Sequence, residues 1–208
     1  MRPGEPVSFT VLRVPFFLEP EYDRSEAFEE TNRSRLERKW GGKAAFAAQK
    51  NRHRLKERGQ EVGIERFDLD RVASSTFASH RLVQWASKNY GISKSEALYD
   101  ELNYRHFELG KKLNDRGMLV EAAAQAGIDG AAAEAFLATD EGGKEIDAAL
   151  HILRRLGVSS IPTFVLGASR VVNGALHSEV RRRIYRPVSN DPAPPRCHRG
   201  ESPSLAWL

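Results

Sequence analysis

One cysteine, Cys197, is all that the 208 residues hold, which rules out an intramolecular disulfide and argues against a small stapled secreted scaffold. No Cys-x-x-Cys exists, so the chain carries no dithiol. The six histidines, His53, His80, His106, His151, His177 and His198, are scattered without the spacing of zinc ligands. Neither Gly-x-x-x-x-Gly-Lys nor Gly-x-Gly-x-x-Gly occurs, so no phosphate-cradling loop is expected. No metal and no cofactor is assigned. Apolar runs stay well short of the roughly 20 residues of a membrane span, and no membrane partner is expected. The opening Met1-Arg2-Pro3-Gly4-Glu5 lacks the charged-then-apolar layout of a signal peptide, which sets a cytoplasmic expectation.

What is present suits one soluble domain with room for an insertion. Hydrophobic residues make up 40% and charged residues 29%, enough for a core of ordinary size. The formal net charge of +4 is too weak to claim a nucleic acid partner by itself. The basic residues are concentrated, however. From Arg33 to Arg58 there are ten Lys or Arg against two Glu. Such a run is either a phosphate-binding groove or a solvated helix face anchored by Leu36, Trp40, Phe46 and Leu55. No recognition motif or aromatic stacking platform accompanies the charge, so the solvated face is the reading here and His53 is placed on its exposed side.

Residues 7–14 have strand composition, near-continuously apolar as for a strand covered on both faces. Pro15 ends that run. Residues 25–60 read as two helices broken at Gly41-Gly42. Ser74-Ser75-Thr76 is a candidate N-cap cluster for a helix carrying Ala78, Leu82, Trp85 and Ala86 on one face and stopping at Gly91. Ser93-Lys94-Ser95-Glu96 matches a capping box for the next helix, whose common face is Leu98, Leu102, Leu109 and Leu113. A third helix begins near Asp115 and ends at Gly127, and a short Ala-rich one runs from about Asp129 to Thr139. From Pro187 onward lie half of the ten prolines, and residues 187–208 read as a disordered tail.

The organising stretch is Gly157-Val158-Ser159-Ser160-Ile161-Pro162-Thr163-Phe164-Val165-Leu166-Gly167. A helix with Ile146, Ala149, Leu150, Leu153 and Leu156 on one face leads into it, and Gly157 closes that helix. After Pro162 a β-branched and aromatic run, a polar turn at Ala168-Ser169-Arg170 and then Val171-Val172-Asn173 predict a hairpin. A final amphipathic segment starts near Leu176.

This stretch resembles the cis-proline segment of the DsbA-like thioredoxin family, in particular its FrnE-type branch. Three further pieces agree in order: Val14-Pro15-Phe16-Phe17-Leu18-Glu19-Pro20, the segment from Asp70 through Ser74-Ser75-Thr76-Phe77-Ala78-Ser79-His80-Arg81-Leu82, and Val172-Asn173-Gly174-Ala175. The resemblance implies an α/β thioredoxin-like fold with a large all-helical insertion. It divides the chain into residues 1–24 (strand and loop), 25–140 (insertion), 141–186 (the cis-Pro half) and 187–208 (tail). It also implies a first strand and a Cys-x-x-Cys helix ahead of residue 7, which this polypeptide lacks, so an incomplete or inactive member is expected.

By that resemblance the Ile161–Pro162 bond is cis, and Ile161, Pro162 and Thr163 bind an extended thiol or disulfide peptide, or glutathione as a substrate rather than a cofactor. His80 is a candidate cleft residue, set against the plainer role of a packing histidine. No catalytic residue is assigned, since Cys197 stands in the tail with no fixed partner. Three activities stay open: a thiol-disulfide oxidoreductase relative, a glutathione-using relative of kappa-class transferases and hydroxychromene-carboxylate isomerases, and a non-catalytic protein that binds peptides or an acidic partner.

Overall fold

The computed structural model describes residues 11–68, 70–166 and 170–174. Several expectations fall elsewhere: residues 7–10 of the first strand, the turn at Ala168-Ser169, the segment from Leu176, and the tail with Cys197 all lie outside the described residues. The chain divides into two compact units, Glu19–Ile146 and a second that joins Met1–Leu18 to Asp147–Leu208.

The larger unit is built on four helices, α4 (Phe77–Tyr90), α5 (Ile92–Phe107), α6 (Arg116–Gln125) and α7 (Gly130–Leu137). Helix α4 packs on α5, α6 and α7, and α6 packs on α7. Leu82, Ala86, Leu98, Leu119 and Ala122 are all 0% exposed along this seam. Where capping chemistry is unambiguous the boundaries follow it. Asp115 Oδ1 accepts from Met118 N at 2.9 Å, and Asp129 Oδ1 accepts from Ala131 N at 2.9 Å.

Elsewhere the structure corrects the expectation. Helix α5 starts one residue before Ser93, with Gly91 as its cap, and Ser95 Oγ donates back to Ile92 O at 3.0 Å, so no capping box forms. Leu109 lies beyond the end of α5 and is 44% exposed, because the helix stops at Phe107 and the chain turns through Gly110.

Ahead of this bundle, β1 (Glu30–Thr31) pairs antiparallel with β2 (Val72–Ala73), a ladder of two residues a side. Three helices lie between them: α1 (Asn32–Trp40), α2 (Lys43–His53) and α3 (Leu55–Glu61). The break at Gly41-Gly42 is present, and a second occurs at Arg54, whose φ of +44° ends α2 in the left-handed region. Trp40 stacks on Phe46 and on His53, both at 6.0 Å between ring centroids. His53 is therefore half-buried against Trp40, while Leu55, expected as an anchor, is 42% exposed.

Buried polar groups tie the loops to the bundle. Asn114, 4% exposed, donates through Nδ2 to Ser25 O at 2.8 Å and Phe28 O at 2.9 Å. Arg81, 6% exposed, donates to Thr139 O at 2.5 Å and Glu141 O at 2.7 Å, satisfying carbonyls left open after α7. Its guanidinium also lies over the Phe136 ring at 4.9 Å.

Helix α8 (Gly143–Arg155) begins in the last residues of the larger unit and ends in the smaller one with a Schellman motif: Gly157 N donates to Arg154 O at 3.0 Å and Val158 N to Leu153 O at 2.9 Å. Gly157 has φ +71°, which a side chain would strain. β3 (Thr163–Leu166) and β4 (Arg170–Asn173) then form an antiparallel hairpin, with Thr163 opposite Asn173 and Val165 opposite Val171. Residues 11–14 form no strand. A strand exists only against a partner, and among the described residues none runs beside them.

Leu82→Ala removes a side chain with no exposed surface, and equilibrium urea unfolding should show a loss of about 2–5 kcal/mol with an unchanged slope. A loss near zero would mean that α4 is peripheral to the bundle.

Candidate functional site

The segment between α8 and β3 is held at both ends and open in the middle. Val158, 8% exposed, fixes the start, whereas Ser159, Ser160, Ile161 and Pro162 are exposed. The Ile161–Pro162 peptide bond is cis. Pro162 contributes no N–H, and its carbonyl accepts from Gly174 N at 2.8 Å, which prolongs the hairpin by one rung. Thr163 Oγ1 donates to Ser160 O at 2.6 Å and lies 2.9 Å from Asn173 Oδ1. The single hydroxyl hydrogen thus ties the loop carbonyl of Ser160 to β3.

Ile161 is left out of this net. Its side chain is 50% exposed, and among the described residues neither its N–H nor its carbonyl has a hydrogen-bond partner. Exposed apolar surface beside an unpaired backbone donor and acceptor is what an extended ligand needs in order to add as a strand. Phe164, Val165 and Val171 on the hairpin are also exposed.

The remaining candidate, His80, is on the first turn of α4 in the larger unit, half-buried, with its N–H on Thr76 O at 3.0 Å. Among the described residues no group of three or more His, Cys, Asp or Glu is placed to hold a metal ion. An open cavity of about 430 Å³ in the larger unit is lined by charges of both signs, Lys56 and Arg66 with Glu65, Asp68 and Glu108.

Sequence reasoning passed over a second feature, the Arg71–His106 pair. Arg71 Nε donates to His106 Nε2 at 3.1 Å, and His106 Nδ1 is 2.9 Å from Lys111 O. Only a neutral imidazole protonated on Nδ1 satisfies both contacts. Arg71 also donates to Asp68 O at 3.0 Å and lies over the Phe107 ring at 4.8 Å. Burial, reinforced by Arg71 and Arg35, pushes the His106 pKa down to about 4. Burial first, then the Arg35 charge, lowers Arg71 to about 10. Close by, Gly110 has φ +71°, which a side chain would strain, and a Cβ there would stand 2.5 Å from Asp68 Oδ2 and displace that carboxylate. The pair locks the loop before β2 to the end of α5. Its members stand 35 positions apart, and no spacing in the chain announces them.

A helix closed by glycine, an Ile-Pro turn and a hairpin, with a helical block elsewhere in the chain, define a thioredoxin-like α/β fold of the helix-rich kind. Residues 10–185 match the model of the DSBA-like thioredoxin domain, and the chain belongs to that family. Its structure is similar to that of a probable DsbA oxidoreductase from Streptomyces coelicolor. The two are 27% identical with a TM-score of 0.73, the match covering 90% of this chain and 78% of that one. No curated protein matches the chain.

His106 takes up a proton near pH 4 in the folded chain and near 6.5 in the unfolded one, so the unfolded state binds more protons between those values. Its contribution to stability is intact above that window and falls as pH drops through it, by at most about 3 kcal/mol. In chemical denaturation the advantage of the wild type over His106→Gln should shrink by that order from about pH 7 to about pH 4. A constant difference across the window would mean that His106 titrates normally.

Proposed function

We propose that this chain is a thiol-disulfide oxidoreductase relative of the FrnE type, which binds an extended thiol or disulfide peptide, or glutathione, along residues 161–163. The observation that carries the reading is the exposed Ile161, whose main-chain N–H and carbonyl are unpaired among the described residues at the mouth of β3. A peptide laid antiparallel to this segment completes both groups, with Thr163 Oγ1 keeping the loop in register. Membership of the DSBA-like family supports the same assignment. The FrnE-type resemblance also favours a cytosolic setting.

Binding and turnover separate here. Attack on a disulfide followed by release needs a second thiol to resolve the mixed disulfide, and this polypeptide holds one cysteine. The chain as it stands is a binder of thiol substrates and not a catalyst of their exchange. Placing Cys-x-x-Cys at a helix N-terminus opposite Ile161 supplies the missing chemistry.

Titration with oxidised glutathione and with a cysteine-containing extended peptide should move the amide resonances of residues 159–161, 163 and 173–174. Thr163→Val should weaken that response severalfold. Unmoved amides in that segment at saturating ligand would refute the binding site. Insulin reduction should show no turnover, and equal turnover by the wild type and Cys197→Ser would refute the account of the chemistry.

A further inference from the structure

We propose that α2 and α3 form a docking surface for an acidic amphipathic segment of another protein, separate from the site at Ile161. Two observations meet on these helices. The first is charge without counter-charge. Cations on α1 are matched: Glu19 takes Arg35 at 2.8 Å and Lys39 at 3.2 Å, Glu30 takes Arg38 at 2.7 Å, and Asp70 takes Arg33 at 3.0 Å. Those that follow are in no direct ion pair, although Lys56 shares the cavity lining with Glu65, Asp68 and Glu108. Lys43, Lys50, Arg52, Arg54, Lys56 and Arg58 are all exposed, and among the described residues none has an ion pair. Only Glu57 and Glu61 share the stretch with them.

Like charges are also brought together. Arg54 N donates to Lys50 O at 3.4 Å and Arg58 N to Arg54 O at 3.0 Å, so three cations follow one another at four-residue steps. Such neighbours repel, and a carboxylate-bearing partner removes the repulsion. At the middle one, Arg54, the backbone takes a positive φ of 44° that glycine would adopt more easily.

The second observation is apolar. Leu55 is 42% exposed and Val62 is 75% exposed, seven positions apart at the two ends of α3. Leu55 opens the helix and Val62 follows its last residue as the cap, so the two flank the cations of α3. Nothing in a polyanion alone covers them. A nucleic acid would meet the cations and leave both side chains against sugar and phosphate. It would also find Trp40, Phe46 and His53 stacked on one another instead of offered to bases. An anionic bilayer calls for a broader apolar face than two side chains on a seven-residue helix. A helix or strand that alternates carboxylates with aliphatic side chains matches both features at once, the carboxylates giving salt-dependent attraction and the aliphatic groups the register.

The probe is a fluorescein-labelled peptide of Glu and Leu in a repeating Glu-Glu-Leu-Glu-Glu-Leu-Glu pattern, read by anisotropy against the full chain. Lys50→Gln/Arg52→Gln/Lys56→Gln/Arg58→Gln should weaken binding by about tenfold or more, and Leu55→Ser/Val62→Ser by about threefold or more. Arg33→Gln/Arg38→Gln, whose cations are already paired, should change it by less than about twofold. Far-UV circular dichroism and the melting temperature establish that each variant is folded. Equal affinity of the wild type and the quadruple variant overturns the proposal. So does equal binding of a polyglutamate peptide without Leu, which would leave the apolar pair no role. Tighter binding to a DNA duplex or to phosphatidylserine vesicles than to the peptide overturns it in favour of those partners.

Discussion

Exclusion of water from one seam holds the larger unit together. Helices α4 to α7 run from 8 to 16 residues, lengths at which an isolated helix is marginal in water. They persist because Leu82, Leu98 and Leu119 are withdrawn from solvent together, with Ala86, Ala122 and Ala123 letting the backbones approach. Polar residues inherit their places from that seam. Arg81 and Asn114 sit at its ends, where helix and loop carbonyls need donors, and each serves as a multi-toothed clamp in a place a smaller polar residue could not span.

Much of this was legible because helices announce themselves locally. Asp115 and Asp129 cap the helices that follow them, and apolar spacing of three and four residues located Leu82, Ala86, Leu98 and Leu102. The misreadings share a cause. Ser93 and Glu96 have the right spacing for a capping box, but Gly91 turns the chain a residue sooner and the helix starts without them. Leu55 and Leu109 look like core by composition and are exposed, since burial depends on what the rest of the chain places opposite. Residues 11–14 have strand composition without a strand beside them. Propensity names a preference, and pairing is needed to realise it.

The candidate site divides the same way. The hairpin after Pro162 and the glycine that closes α8 follow from residue types and order. The role proposed for Ile161 does not. Isoleucine carries no chemistry of its own, and only its position beside Pro162, seen through family resemblance, singles it out. The structure adds what neither could supply, namely which main-chain groups are already satisfied and which are open. His106 marks the opposite limit. Its tautomer and lowered basicity are set by Arg71 and Lys111, and a histidine's neighbours in space cannot be read from its neighbours in sequence.

The clamp at Asn114 has a consequence in time. Its Nδ2 reaches Ser25 O and Phe28 O across 89 and 86 positions, whereas α4 with α5 and α6 with α7 join neighbours in the chain. Closing so long a loop costs entropy that a few hydrogen bonds recover only after the bundle exists. The helical seam should therefore assemble first and the loop of residues 25–28 be fastened late. A lesion at Asn114 acts on how fast the native chain comes apart and hardly on how fast it forms. The long-range clamp sets the lifetime of the fold, and the local helices set its birth.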